Sequence, residues 1–164
     1  MGLEREWIGG SLFRSMIFQA ATLLNQKKAE IDFLNVYPVP DGDTGTNMSL
    51  TLASVMAEVD QAAPTTMADL CTALSHGSLM GARGNSGVIL SQFLRGLARG
   101  LRDKISISPA GLSKAFQYGV VYAYKAVSRP VEGTILTVSR EMARGARAAA
   151  RNGHKLDRVL EEAI

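Results

Sequence analysis

The loop Asn35-Val-Tyr-Pro-Val-Pro-Asp-Gly-Asp-Thr-Gly-Thr-Asn47 sets two carboxylates, Asp41 and Asp43, on either side of Gly42 and surrounds them with hydroxyls and amides. Two further segments share its glycine-rich, polar character: Gly81-Ala-Arg-Gly-Asn-Ser-Gly87 and Arg129-Pro-Val-Glu-Gly-Thr134. Each leads into a run with helical apolar spacing. Each therefore ends at a helix N-terminus, where unpaired N–H groups and the positive end of the helix dipole attract anions. Two carboxylates alone would repel a phosphate, and a hard cation between them resolves the conflict. Magnesium takes oxygen ligands, keeps some water and bridges carboxylates to phosphate oxygens. The expected ligand is thus a magnesium nucleotide, with Asp41 and Asp43 on the metal. Asn35 and the run Thr44-Gly45-Thr46-Asn47 complete the coordination or donate to phosphate oxygens. Ser86 and the amides of Gly84, Asn85 and Gly87 would hold the terminal phosphates, and Arg83 would neutralise developing charge. Taken alone, Asp41-Gly-Asp43 reads more simply as a polar turn; company on one face of the molecule is what outweighs that reading.

That company depends on the elements between the loops. Apolar residues recur at helical spacing throughout, and alternating strand patterns are absent. The first helix is expected over roughly Gly10 to Lys28, with Leu12, Met16, Ala20, Leu23 and Leu24 on one side and Ser11 as its cap. Further helices are expected from about Asn47 to Val59, Thr66 to Met80, and from Gly87 on through Leu97. Lys104 to Ser108 closes a hairpin, and Ser108-Pro109 is a cap followed by a first-turn proline that opens a fifth helix ending near Ser128. A sixth runs from about Thr134 to Arg151, and a seventh begins near Leu156 and is still going at Ile164. Short connections favour antiparallel neighbours, so the reading is an all-α, up-and-down helical bundle or barrel. Chain direction reverses twice between successive Gly-rich loops, which puts all of them at one end. The turns at Pro64 and near Ile105 fall at the other.

Familiar alternatives fail on spacing. A calcium hand starting at Asp41 would need glycine at its sixth position and a carboxylate at its twelfth, where this chain has Thr46 and Leu52. The Gly81–Gly87 segment lacks the Gly-Lys-Ser/Thr ending of a P-loop, and no strand precedes it. His76, His154 and Cys71 offer neither zinc spacing nor a Ser-His-Asp set, and His76 reads first as a helix-end structural residue. The net charge of +3, from 18 basic and 15 acidic residues, is a slight imbalance that argues weakly for an anionic ligand and poorly for nucleic acid. Arg95, Arg99 and Arg102 form one row at helical spacing and Arg140, Arg144, Arg147 and Arg151 another; both read as solvated helix faces. One cysteine allows no internal disulfide, no apolar run is long enough for a membrane span, and Glu4, Arg5 and Glu6 ahead of Trp7 lack the order of a secretory signal. A cytoplasmic protein is expected.

At Asn35 to Met48 and again at Gly81-Ala-Arg-Gly-Asn-Ser-Gly-Val-Ile-Leu-Ser91, the sequence resembles the ATP-binding domain of the dihydroxyacetone kinase superfamily, and within it the bacterial fatty acid kinase branch. Pro130-Val-Glu-Gly-Thr-Ile-Leu-Thr137 resembles that branch's third signature. The resemblance implies an antiparallel helical barrel with ATP or ADP and two magnesium ions at one end. It implies Asp41 and Asp43 as magnesium ligands, Asn47 as the phosphate-side asparagine, and Asn35 near a third ligand position that is acidic in dihydroxyacetone kinases. The Gly81–Gly87 stretch would cover the phosphates, and Gly133 and Thr134 would lie beside the nucleotide. Thr44 stands where dihydroxyacetone kinases carry a histidine, a departure that favours the fatty acid branch.

In that branch, the γ-phosphoryl group of ATP passes to a fatty acid carboxylate presented by a separate acyl-binding protein. A carboxylate of pKa roughly 4 to 5 is already ionised at neutral pH and needs no base. The alternatives are a dihydroxyacetone kinase-like phosphotransferase subunit, a non-catalytic ADP-binding regulatory module, and a purely structural bundle. A homodimer is one further assembly kept open. The family domain continues beyond Leu160-Glu-Glu-Ala-Ile164, so residues 1–164 are expected to be one incomplete nucleotide-binding kinase domain, of doubtful activity in isolation.

Overall fold

The computed structural model describes residues 6–164; the signal-segment reading that rests on Glu4 and Arg5 lies outside the described residues. Seven helices follow in order: α1 (Gly10–Leu34), α2 (Thr44–Ala62), α3 (Met67–Met80), α4 (Gly84–Leu101), α5 (Pro109–Lys125), α6 (Ile135–Arg151) and α7 (Leu156–Glu161). The chain is all-α, apart from two short strands that the alternation pattern did not signal. β1 (Ile8–Gly9) and β2 (Ser106–Ile107) pair antiparallel, with Ile8 opposite Ile107. Both isoleucines are buried, so this clip ties the chain start to the α4–α5 connection through apolar packing as well as backbone bonds.

Neighbouring helices run antiparallel, as named contacts show. Arg14 pairs with Asp60 at one end of α1–α2, and Asn25 accepts from Ser49 nearer the other. A Cβ on Gly77 would meet Val55 and Glu58, while one on Gly81 would meet Ser54, so α3 runs back along α2. Gly96 lies on Tyr118 and Gly119, and Gly100 on Ala115, which brings the α4 and α5 backbones close. The core they enclose centres on Val55, Leu74, Leu101, Ile107, Ala115 and Val159. With α4, α5 and α6 successively reversed, the loops that open α2, α4 and α6 share one end of the bundle.

Several expected boundaries shift. Helix α1 continues past Lys28 to Leu34, since Lys27–Glu30 pairing and the apolar side of Ile31 extend it through a polar stretch. It starts after Gly9 with no side-chain cap, so Ser11 is inside it; its hydroxyl is not the cap expected. Helix α2 opens at Thr44 and α4 at Gly84, so residues read as loop form first turns. Helix α7 stops at Glu161 rather than continuing to Ile164. Thr66, Ser108 and Thr134 cap α3, α5 and α6 by accepting from Asp69, Gly111 and Leu136 amides.

Candidate functional site

The longer α1 brings two side chains to the start of α2. The Asn35 Oδ1 accepts from the amides of Asp43 (3.2 Å) and Thr44 (3.2 Å) and from the Thr44 hydroxyl (2.8 Å), while its amide donates to the Val39 carbonyl. Asp32 accepts from the Thr46 amide through Oδ1 (3.0 Å) and from the Thr46 hydroxyl through Oδ2 (2.6 Å). These bonds hold its carboxyl below the usual carboxylate range; the Thr46 hydroxyl bond contributes most, burial opposes it, and the Thr46 and Gly45 amides and Lys28 each add a lesser lowering. Together Asp32 and Asn35 cap α2 from outside it. The loop between them and α2 is thereby stapled shut at its base, with Asp41 exposed at its tip and Asp43 half-buried at the helix start.

Asp43 occupies the N-cap position without using its carboxylate as a cap, because Asp32 already serves the Gly45 and Thr46 amides it would reach. Gly42 between the two carboxylates has φ +64°, a left-handed turn that a side chain would strain. Asp41 and Asp43 are thus the oxygen donors this loop leaves available, and among the described residues no group of three or more His, Cys, Asp or Glu is placed to hold a metal. Two carboxylates plus water and phosphate oxygens is a donor set that suits magnesium, whereas calcium would need more protein oxygens. Asn35, expected on the metal, has its oxygen occupied by three donors here.

The α4 end lies against the α2 end. Ser86, buried, donates to the Thr44 carbonyl at 3.4 Å; the Arg83 amide donates to the Thr51 hydroxyl at 3.2 Å. Gly84 turns with φ +58°, and a Cβ there would land on the Asn47 side-chain amide; one on Gly87 would land on the Thr51 hydroxyl. Unlike α2, α4 has no side-chain cap. Its first-turn amides, on Gly84, Asn85 and Ser86, therefore have no acceptor among the described residues. The structure thus divides the expected phosphate-binding run: α2 is closed by its own neighbours and α4 is open. Gly45 also changes meaning, for a Cβ on it would strike the Lys28 backbone, so its glycine lets α2 pack on α1. The Arg83 guanidinium folds onto the Ala82 carbonyl at 3.1 Å and is exposed.

The third loop is tied internally. Glu132 accepts from the Thr137 hydroxyl (2.6 Å) and Tyr124 hydroxyl (3.1 Å) and pairs with Arg140 (2.7 Å). The Thr137 bond leads in holding its carboxyl low, followed among the favourable contacts by those of Tyr124 and Arg140. Gly133, at φ +78°, donates its amide to Thr137, and the Thr134 hydroxyl donates to the Val131 carbonyl. Thr134 and Gly133 shape this loop; no hydrogen bond joins them to the other two.

Asp32 is the residue that sequence reasoning missed. With α1 stopped at Lys28 it fell into an unassigned stretch; the signal was the helical continuation Lys27-Lys28-Ala-Glu30-Ile-Asp32, with Asp32 and Asn35 three apart. Two hollows lie away from these loops, one between α3, α4 and α5 and one under the α2–α3 turn. The candidate loops themselves form an open rim with Asp41, Arg83, Gly84 and Asn85 exposed.

An all-helical bundle with a two-carboxylate loop beside an uncapped helix end is the class of protein described so far. The chain belongs to the DAK2 domain family, the dihydroxyacetone kinase family's helical domain, whose family model matches residues 38–164. Proteins described as uncharacterized in Staphylococcus aureus strains USA300, NCTC 8325 / PS 47 and COL are each 48% identical to it over 157 residues, 96% of this chain and 29% of theirs. The chain therefore spans less than a third of the length of these relatives. Among the described residues no helix is long and apolar enough to cross a membrane.

Proposed function

We propose that this chain is the nucleotide-holding part of a kinase that transfers the γ-phosphoryl group of ATP to a fatty acid carboxylate held by a separate acyl-binding protein. The observation that carries the reading is the pairing of unspent carboxylates at Asp41 and Asp43 with the uncapped amides of Gly84, Asn85 and Ser86 on the adjoining helix end. Asp41 and Asp43 would hold magnesium, which when bound offsets the negative charge of the phosphates. The α4 amides orient the terminal phosphates, Asn47 supports that turn from α2, and Arg83 can swing from the Ala82 carbonyl to meet charge developing on the transferred group.

In the transfer, a carboxylate oxygen forms a bond to the γ-phosphorus while the bond to the β–γ bridging oxygen breaks, and ADP leaves with that electron pair. The acceptor is already ionised, so no proton has to be taken. That suits this site: Thr44 spends its hydroxyl on Asn35, and Asp32 spends its oxygens on Thr46. A hydroxyl acceptor would call for a base the loops do not supply.

Calorimetric titration with ADP, with and without magnesium, tests the nucleotide half of the reading. Magnesium-dependent binding is expected, weakened roughly tenfold or more, or by about 1.4 kcal/mol or more, in Asp41→Asn and Asp43→Asn. Binding indifferent to both substitutions and to magnesium would refute it. The acceptor half is tested by trapping acyl phosphate with hydroxylamine after mixing with ATP and an acyl-loaded binding protein.

A further inference from the structure

A hollow of about 380 Å³ opens between α3, α4 and α5, away from the carboxylate loop. The arginine row of α4, expected to be a plain solvated face, lines it. Arg95, Arg99 and Arg102 line it from the α4 side, Ser75 and His76 from α3, and Tyr122 from α5. Its size is within the range of small-ligand sites, and its apolar lining comes from the exposed Leu79 and the buried Ala98 and Cys71.

The charge in this hollow is unbalanced. Arg99 and Arg102 share a single carboxylate, Asp103, at 3.6 Å and 3.4 Å, and Arg95 bonds only the neutral Gln92 side chain at 3.0 Å. His76 already has Nδ1 against Glu58 at 3.0 Å, on the side of α2, which fixes the ring with its second nitrogen left over. Guanidinium groups fork onto planar carboxylates and onto phosphates, and clustered like charges over an apolar floor focus an attractive potential for anions. Burial pushes the Cys71 thiol up to about 12, so it is a neutral part of the floor and not a nucleophile.

We propose that the α3–α4–α5 hollow is a second ligand site, taking a small organic oxyanion whose carboxylate or phosphate head lies on Arg95, Arg99 and Arg102 and whose apolar body rests against the exposed Leu79. This inference is independent of the nucleotide reading. Serine and tyrosine hydroxyls on the facing walls supply the remaining donors to such a head.

The test is titration of the full chain with benzoate and with phenyl phosphate, followed by calorimetry and amide chemical-shift mapping. At least one of the two should bind saturably, the preferred head telling carboxylate from phosphate. The double variant Arg95→Gln/Arg102→Gln should weaken it tenfold or more, while Asp41→Asn/Asp43→Asn should leave it unchanged. Should the double variant lose its helical circular dichroism, the wild-type shift map decides. Perturbations over residues 72–79 and 95–102 support the site, and perturbations confined to residues 41–47 and 84–87 overturn it. Absence of saturable binding by both probes, or full binding by a folded double variant, also overturns it.

Discussion

Asp32 organises more of the carboxylate loop than its position in the sequence suggests, because two of its oxygens fix the backbone and hydroxyl of Thr46. Asp32→Ala should lower stability by about 1–2 kcal/mol, the loss typical of a removed helix cap, as read by urea unfolding. The pH dependence has a definite sign. Its folded-state pKa lies below the ordinary aspartate value, so the stabilisation is complete above that ordinary value and fades as pH falls through the lower, folded-state pKa. The gap in melting temperature between wild type and Asp32→Asn should therefore be widest near neutrality and shrink on acidification below about pH 4. A gap that widens on acidification would mean the carboxylate is not the stabilising form. Asn35→Ala should release the Thr44 and Asp43 amides and loosen the loop carrying Asp41, weakening magnesium-dependent nucleotide binding without abolishing it.

At the scale of elements, the helix ends and crossings are set by where a side chain can be absent. Gly45 and Gly96 are packing glycines, since a Cβ on either would strike the backbone of a neighbouring helix, at Lys28 or Tyr118. Gly45→Ala and Gly96→Ala should each cost about 1–3 kcal/mol through overpacking, visible as an unfolding midpoint shifted without a change in slope. Gly84→Ala is a different case: at φ +58° it adds backbone strain of about 1–2 kcal/mol and also displaces Asn47. It should impair nucleotide binding more than Gly45→Ala does at equal loss of stability. The contrast separates a glycine that shapes the site from one that seats a helix.

For the molecule as a whole, the antiparallel order of α1 to α6 gathers the α2, α4 and α6 N-terminal loops at one end, and the β1–β2 clip joins the chain start to the opposite end. A ligand bridging the α2 and α4 ends should therefore stabilise the entire bundle. At a magnesium–ADP concentration about 100 times its dissociation constant, linkage gives about 2.7 kcal/mol, or a melting temperature raised by roughly 5–10 °C, reversed by chelator. A rise of that size without magnesium would contradict the role given to Asp41 and Asp43.

Read alone, the residues determined the helical class, because apolar spacing at 3.6 residues is a local property and short connections leave antiparallel packing as the simple way to bury those stripes. They also determined the carboxylate pair and its gathering with the glycine segments at one end. The Ser108 cap was likewise legible, since such a cap lies within three residues of the amide it serves, while Thr66 and Thr134 were read as helix starts and the structure shows them to be caps. Tertiary structure alone decided which helix end stays uncapped. The caps of α2 come from Asp32 and Asn35, 8 to 14 residues from their partners, and that reach depends on how far α1 runs before the chain turns. It decided, too, that the Arg95, Arg99 and Arg102 row borders a hollow, because a row's spacing shows that its members share a face and says nothing of what lies opposite.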